Sequence, residues 1–422
     1  MQRARLFTAW DGAWALPSLR QRSALAVPGL LLLLLLGAAW WILLHPKPPV
    51  WDQARLLEAR FEAPYHPAPP YGFTVQLLVI GLKALLPSGA PLHEALRVVA
   101  MAFWAGAACW LGLALLERRG LVAVLLLLLF SSQYPFLWLS SELVAGGFLC
   151  LCLAAFARGA APGPLGALLA LLALCKPELL LVALVLLACF ASARRPQAGR
   201  LAAGFAGTLG LLLLPGLLRF GPGYPFDYGA GGTGRGFAAF GQHFAALLAP
   251  LQLGPAPDPW NHPTPYLERV FPGARSMRDV ILAPGLPYLD FVALSLARGV
   301  RRVGWLFQWA WPAAALLWLA RRRAGLAFDE RERALLWSFV GCLPFVLFAY
   351  PHVRYFARYY PVFWVLVLVA VERLAKAPAG RLRNASLALA GLCIALAFAT
   401  NVERAAVGLA LAPQLAQYWF PD

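Results

Sequence analysis

The chain has 422 residues, of which 61% are hydrophobic and only 13% charged, a balance that excludes an ordinary soluble globular protein. The formal net charge is +17, yet no basic segment of domain size stands apart from the apolar runs, so the excess Lys and Arg reads as membrane topology and no nucleic-acid partner is expected. All seven cysteines lie within apolar stretches, and Cys150 and Cys152 would point to different faces of a helix. They form neither a metal-ligand spacing nor a disulfide framework.

In chain order, Arg3, Arg5, Arg20 and Arg22 precede a first apolar run at residues 25–44. That run is long enough to cross a hydrocarbon core about 30 Å thick. Trp40 and Trp41 stand where small residues would mark a cleavage site, so the run is expected to be a retained signal anchor with residues 1–23 in the cytoplasm. In lipid the backbone must satisfy its own hydrogen bonds, which makes such runs helices rather than open sheet. The proline-rich stretch 46–94 then forms a first outer loop. Its apolar run at 71–86 is either a second pass or a helix lying at the interface. The interfacial placement keeps Glu117, Arg118 and Arg119 inside, where the charge rule wants them.

Passes at about 95–116, 121–139 and 142–157 place Arg158 inside. Residues 164–191 are too short for two full passes, yet Arg158 and the pair Arg194, Arg195 all belong in the cytoplasm. Two short helices broken at Lys176-Pro177-Glu178 reconcile these demands; one long pass kinked at Pro177 is the competing arrangement. A pass at about 201–218 leads into a long outer loop, 219–302, rich in Gly, Pro and Tyr. Later passes fall near 303–320, 334–350, 359–372 and 384–402, with Arg321–Arg323, Arg331, Arg333, Arg373, Lys376, Arg381 and Arg383 inside. The expected architecture is an all-α polytopic transmembrane helix bundle of about eleven passes. It forms a single integral membrane domain over 1–422, with outer-face loops, interfacial helices and C-terminal helices over 303–422. Both large polar segments and all six histidines fall outside. The cytoplasmic loops are too short for a nucleotide-binding domain, so any chemistry belongs at the outer face of a plasma (inner) membrane.

Few residues carry the means for that chemistry. Asp52 follows the first pass by one to two helical turns, with Glu58 and Glu62 beyond it. A carboxylate at the lipid boundary is partly desolvated, which raises its pKa and improves it as a base; the alternative is a solvated loop acid. Glu142, Lys176 and Glu178 lie at outer ends of otherwise apolar passes. An ionised group deeper in the bilayer costs at least about 2.5–3.5 kcal/mol, so such residues line cavities or pair, unless they snorkel to the interface. In the segment 352–361, Arg354 and Arg358 are spaced i, i+4, as are Tyr355 and Tyr359, and each pair shares a face if the segment is helical. Two outer guanidiniums oppose the charge rule, which a bound phosphate or contact with lipid headgroups would explain. The glycine-rich stretch 228–236 lacks the Gly-Lys-Ser/Thr ending of a phosphate loop and reads as a flexible outer loop. The histidines show no His-x-x-x-His spacing, and the sequon Asn384-Ala385-Ser386 falls inside.

The order of these features resembles the membrane-embedded glycosyltransferases of the GT-C fold, in particular bacterial relatives of protein O-mannosyltransferases and aminoarabinose transferases. Asp52-Gln53 takes the place of the family's early outer acidic residues, often Asp-Glu. Pro69-Pro70-Tyr71-Gly72-Phe73 and its apolar run match the proline-aromatic stretch and interfacial helix. Leu96-Arg97, Arg118-Arg119, Glu142, Lys176-Pro177, Arg354-Tyr355 and Pro361 follow in the family's order. Gln53 and Glu142 depart from its usual acids, as does Arg358 from a proline, which weakens the transfer of any metal site. The resemblance implies transfer of a sugar from a polyprenyl-phosphate donor to a glycan, lipid or protein acceptor, with membrane lipids as surroundings. Asp52 is then the catalytic base. Glu58, His66, Glu142, Lys176, Glu178, Arg354, Tyr355 and Arg358 are the substrate-binding candidates. No cofactor is implied, and metal dependence stays open. The competing classes are a transporter or lipid flippase, and a polysaccharide ligase.

Overall fold

Runs dominated by leucine and alanine satisfy their backbone within themselves, and every regular element among the described residues is a helix. The computed structural model describes residues 19–44, 73–87, 91–132, 140–176, 179–220, 269–274, 277–283, 287–347, 353–378 and 380–415. Helices α1 (Leu19–Leu44), α2 (Phe73–Leu85), α3 (Leu92–Leu115), α4 (Arg119–Ser131) and α5 (Ser140–Ala157) are followed by α6 (Pro162–Ala173), α7 (Leu179–Ala193) and α8 (Ala198–Phe220). The C-terminal half contains α9 (Pro287–Phe307), α10 (Ala310–Arg323), α11 (Glu330–Ser338), α12 (Leu343–Leu347), α13 (Val353–Ala357), α14 (Tyr360–Lys376) and α15 (Arg381–Leu415). Helices α5 and α14 are buried along most of their length, whereas α1, α8 and α15 turn leucines outward: Leu33 is 69% exposed and Leu218 79%. Apolar outer faces around an apolar centre are what a lipid solvent permits.

Among the described residues, not every expected pass is a full-length span. Among the described residues, five helices are long and apolar enough to cross a membrane, or six if the bent pair α9–α10 counts as one span. Helices α4, α6 and α7 have 13, 12 and 15 residues. At about 1.5 Å per residue they fall short of a core about 30 Å thick. The expected pass at 303–320 is the second half of that pair, which turns by 91° between Phe307 and Ala310, where Gln308 has a φ of 34°. A left-handed non-glycine residue breaks the helix there. The first half, α9, occupies the end of the stretch assigned to the outer loop. The expected pass at 334–350 runs through a 3-10 segment, Phe339–Cys342, before α12.

The break at Lys176 separates two helices, and they form a hairpin. Arg194, after α7, donates hydrogen bonds to the carbonyls of Ala160 and Phe156 before α6, at 2.8 and 2.7 Å, and Phe156 stacks on Phe190. One long kinked pass would hold those residues far apart, so the two-helix arrangement stands. The turn of the hairpin receives α2: the Thr74 hydroxyl donates to the Leu171 carbonyl at 2.8 Å and the Thr74 amide to that of Leu174 at 3.2 Å. With 13 residues, α2 is also too short to span a core about 30 Å thick. Its apolar residues Val75 and Val79 pack inward while Lys83 stays exposed.

Charges expected on the inner side gather at the opposite end. The Glu372 carboxylate accepts the backbone amides of Glu117 and Arg118, both at 2.9 Å, closing the turn between α3 and α4. Lys376 pairs with Glu117 at 2.6 Å, buried Arg321 with Glu332 at 2.5 Å, and Arg373 with Asp329. Asp329 and Glu332 form a reciprocal capping box at the start of α11. Burial pushes the Asp329 carboxyl up, but the Glu332 amide and the Arg373 guanidinium outweigh it and hold its pKa below the ordinary aspartate value. A depressed carboxylate contributes stability above its unfolded pKa, about 3.9, and loses it as pH falls through the folded value. Thermal unfolding of detergent-solubilised protein should therefore show wild type more stable than Asp329→Asn near neutrality, with the gap closing as the pH is lowered below about 4. A gap independent of pH would contradict this.

Helices α6 and α8 cross at glycines. A Cβ on Gly166 would strike the carbonyl of Leu201, and one on Gly204 the carbonyl of Gly163, so backbone meets backbone with no room for a side chain. Gly204→Ala should destabilise by about 1–3 kcal/mol, read as a lower Tm. Gly199→Ala, whose Cβ meets nothing within 4 Å, should not. Equal Tm values for the two variants would refute the close crossing.

Candidate functional site: an ionic cluster at one end of the bundle

Three chain segments converge on one carboxylate. Glu142 lies in the first turn of α5, where the helix dipole favours an acid. Lys176 follows the turn that closes α6, and Arg358 sits between α13 and α14. Glu142 Oε1 pairs with Lys176 Nζ, and Glu142 Oε2 lies 2.7 Å from Arg358 Nη2. The side chains of Glu142 and Arg358 are 2% and 0% exposed, while that of Lys176 keeps 16%. Buried charges persist only when paired, which the cluster achieves. Two cations meet this carboxylate, and Lys176 is the cluster's most accessible member. The Tyr355 ring centroid lies 6.0 Å from Lys176 Nζ, at the edge of cation–π range.

The backbone makes this geometry possible at Gly146, one turn along α5 from Glu142. A Cβ there would lie 2.9 Å from the Arg358 carbonyl and 3.1 Å from the Trp104 ring. A small residue at i+4 from the acid lets the α13–α14 junction press against α5. The spacing is visible in the sequence, but its meaning depends on Arg358 arriving there.

Of the sequence candidates, Glu142, Lys176, Tyr355 and Arg358 are brought together. Arg354 and Arg358 share a face only if one helix carries both; α13 ends at Ala357, and Arg358 is buried against Glu142. Arg354 belongs to α13, but its side chain lies outside the described atoms. Asp52, Glu58, His66 and Glu178 lie outside the described residues, as do Gln53 and the glycine-rich stretch 228–236.

A second polar group went largely unrecognised. Gly146 against Trp104, and the Arg158 guanidinium donating to the Leu113 carbonyl at 3.1 Å, show that α3 and α5 run parallel. Their first turns therefore lie toward the same end. The first two turns of α3 bury His93, Glu94 and Arg97, with His93 Nδ1 4.0 Å from Glu94 Oε1, and α2 buries Gln76. In the sequence Arg97 stood out through the pair Leu96-Arg97, but placing the pass boundary at 95 split the triplet His93, Glu94 and Arg97. Among the described residues, no group of three or more His, Cys, Asp or Glu side chains could hold a metal ion.

No family profile and no curated protein matches the sequence. Among solved structures, the chain is similar to the crystal structure of the Archaeoglobus fulgidus oligosaccharyltransferase in its apo form, at 15% identity and a TM-score of 0.44. The alignment covers 94% of this chain and 59% of that one, so this chain spans less than two thirds of its neighbour's length.

Removing the shared carboxylate tests the cluster. Glu142→Gln should destabilise by about 3–5 kcal/mol, because it removes a charged partner from buried Arg358. Glu142→Gln combined with Arg358→Gln should lose less than the sum of the single changes, measured as Tm in a double-mutant cycle. Strict additivity would show that the pair is not coupled.

Proposed function

We propose that the protein is a glycosyltransferase that moves a sugar from a polyprenyl-phosphate carrier to a glycan, lipid or protein acceptor at the outer face of a plasma membrane. The observation that carries this reading is the meeting of Glu142, Lys176, Tyr355 and Arg358 at one end of the bundle, from segments far apart in sequence. Lys176 and Tyr355 stand at positions where the sequence resembles the GT-C glycosyltransferases, while Glu142 replaces their usual Asp and Arg358 a proline. Their chemistry suits a reaction whose leaving group is a phosphate. An inner location of the opposite charge network is what the positive-inside rule favours, and it supports an outer location for the cluster.

In this mechanism the acceptor hydroxyl attacks the anomeric carbon, and the bond from that carbon to the phosphate oxygen breaks. Asp52 takes the hydroxyl proton as general base. The electron pair leaves with the polyprenyl phosphate, which needs no proton because it is a stable anion. It needs positive charge, and Lys176 supplies it as the most exposed member of the cluster. Glu142 and Arg358 are positioning residues: their pairing fixes the Lys176 ammonium at the hairpin turn and keeps it from swinging into lipid. Tyr355 flanks the ammonium and narrows the space in which a phosphate can approach.

A buried ionic cluster among apolar helices is also what a transporter or flippase would contain. Membranes supplied with a labelled polyprenyl-phosphate sugar separate the readings. Transfer to acceptor or water, with release of polyprenyl phosphate, supports the transferase; movement of the intact lipid across the bilayer without cleavage supports the alternative. Asp52→Asn should lower transfer by about 10²–10⁴-fold with an unchanged Tm. A folded Asp52→Asn protein with normal transfer would sink the assignment of the base.

A further inference from the structure

The end of the bundle opposite the ionic cluster holds a cavity of about 780 Å³ that the proposed reaction does not use. One wall is apolar, built from Val27 and Pro28 of α1, Leu113–Leu116 around the end of α3, Leu326 and Val369. The rest is cationic: Arg119, Arg158, Arg331, Arg373 and Lys376 face it, against the carboxylates of Glu117 and Glu372. Those carboxylates are already engaged. Glu372 has both oxygens engaged by the backbone amides of Glu117 and Arg118, and Glu117 is paired with Lys376. Arg373 is held by Asp329, and Arg158 donates to a carbonyl. Among the described residues, neither Arg119 of α4 nor Arg331 of α11 has a carboxylate partner.

Arginines that serve topology alone need only lie on the correct side, and they spread their charge into water. Here guanidiniums from separate helices converge on one concavity whose other wall is leucine, alanine and valine. Arginine matches phosphate with a planar, bidentate donor set. Basic pockets beside apolar helix surface at a cytoplasmic boundary suit a phosphate attached to an acyl chain. We infer that this cavity binds a phosphate anion, with Arg119 and Arg331 as its principal donors and the α1–α3 wall receiving the apolar part of the molecule that carries it. The site is distinct from the Glu142 cluster and does not depend on the proposed transfer reaction.

The test uses the full-length protein in nanodiscs or mild detergent, with native mass spectrometry as the readout. Phosphatidylglycerol and phosphatidylcholine are offered at equal concentration, and inorganic pyrophosphate is offered separately. Phosphatidylglycerol should be retained about tenfold better than the zwitterionic lipid, and Arg119→Ala/Arg331→Ala should abolish that preference. Arg322→Ala/Arg323→Ala removes the same charge from exposed residues outside the cavity and should leave the preference intact. Pyrophosphate bound by wild type and lost in the cavity variant, without lipid selectivity, would support the phosphate site and identify a water-soluble source. Equal retention by the two double variants, or no binding of either anion by wild type, would overturn the inference.

Discussion

Between α5, the α6–α7 hairpin and the α13–α14 junction, a single carboxylate holds two cations, and the arrangement of the surrounding helices follows from the need to keep those charges together. Arg358 is fully buried and Glu142 nearly so. Separating them in an apolar interior leaves an uncompensated ion, at a cost of about 3–5 kcal/mol. The hairpin must therefore place its turn beside the first turn of α5, and Gly146 must stay without a side chain so that the Arg358 backbone can come within reach. The same constraint sets the height of α2, whose Thr74 hydroxyl and amide bond to the carbonyls that close α6.

The opposite end follows another logic. There the ions are more numerous and more exposed, and they act mainly on backbone and helix ends. Glu372 closes the α3–α4 turn, the Asp329–Glu332 box starts α11, and Arg194 ties off the base of the hairpin. Exposed pairs of this kind contribute little each, but as a network they fix which helix ends meet. The bundle thus has two polar ends of different character: a tight buried cluster, and a broad basic face enclosing a cavity.

Much of this was legible because charge inside an apolar run is conspicuous. Glu142 and Lys176 declared themselves in this way, and the matching arginines on either side of residues 164–191 implied the hairpin. Arg358 was legible as a candidate but not in its role. A spacing of i, i+4 from Arg354 implies a shared face only if the helix continues, and α13 ends one residue too soon. Pass boundaries failed where hydropathy averages over a break, as at Gln308 and along Phe339–Cys342. Helix α9 was missed because arginines such as Arg298 and Arg301 along it depress a windowed average although the helix is amphipathic. The convergence of Arg119 and Arg331 on one cavity depends on helix packing that no local pattern carries.

The central claim is that the Glu142–Lys176–Arg358 cluster receives the phosphate of a polyprenyl carrier. Electron cryomicroscopy of the full-length protein in nanodiscs with polyprenyl phosphate tests it most directly. The account predicts phosphate density within hydrogen-bonding distance of Lys176 Nζ, beside Tyr355 and at the end of the bundle that carries α2. Phosphate density only in the basic cavity at the opposite end, or a lipid tail seated with no headgroup near Lys176, would contradict it.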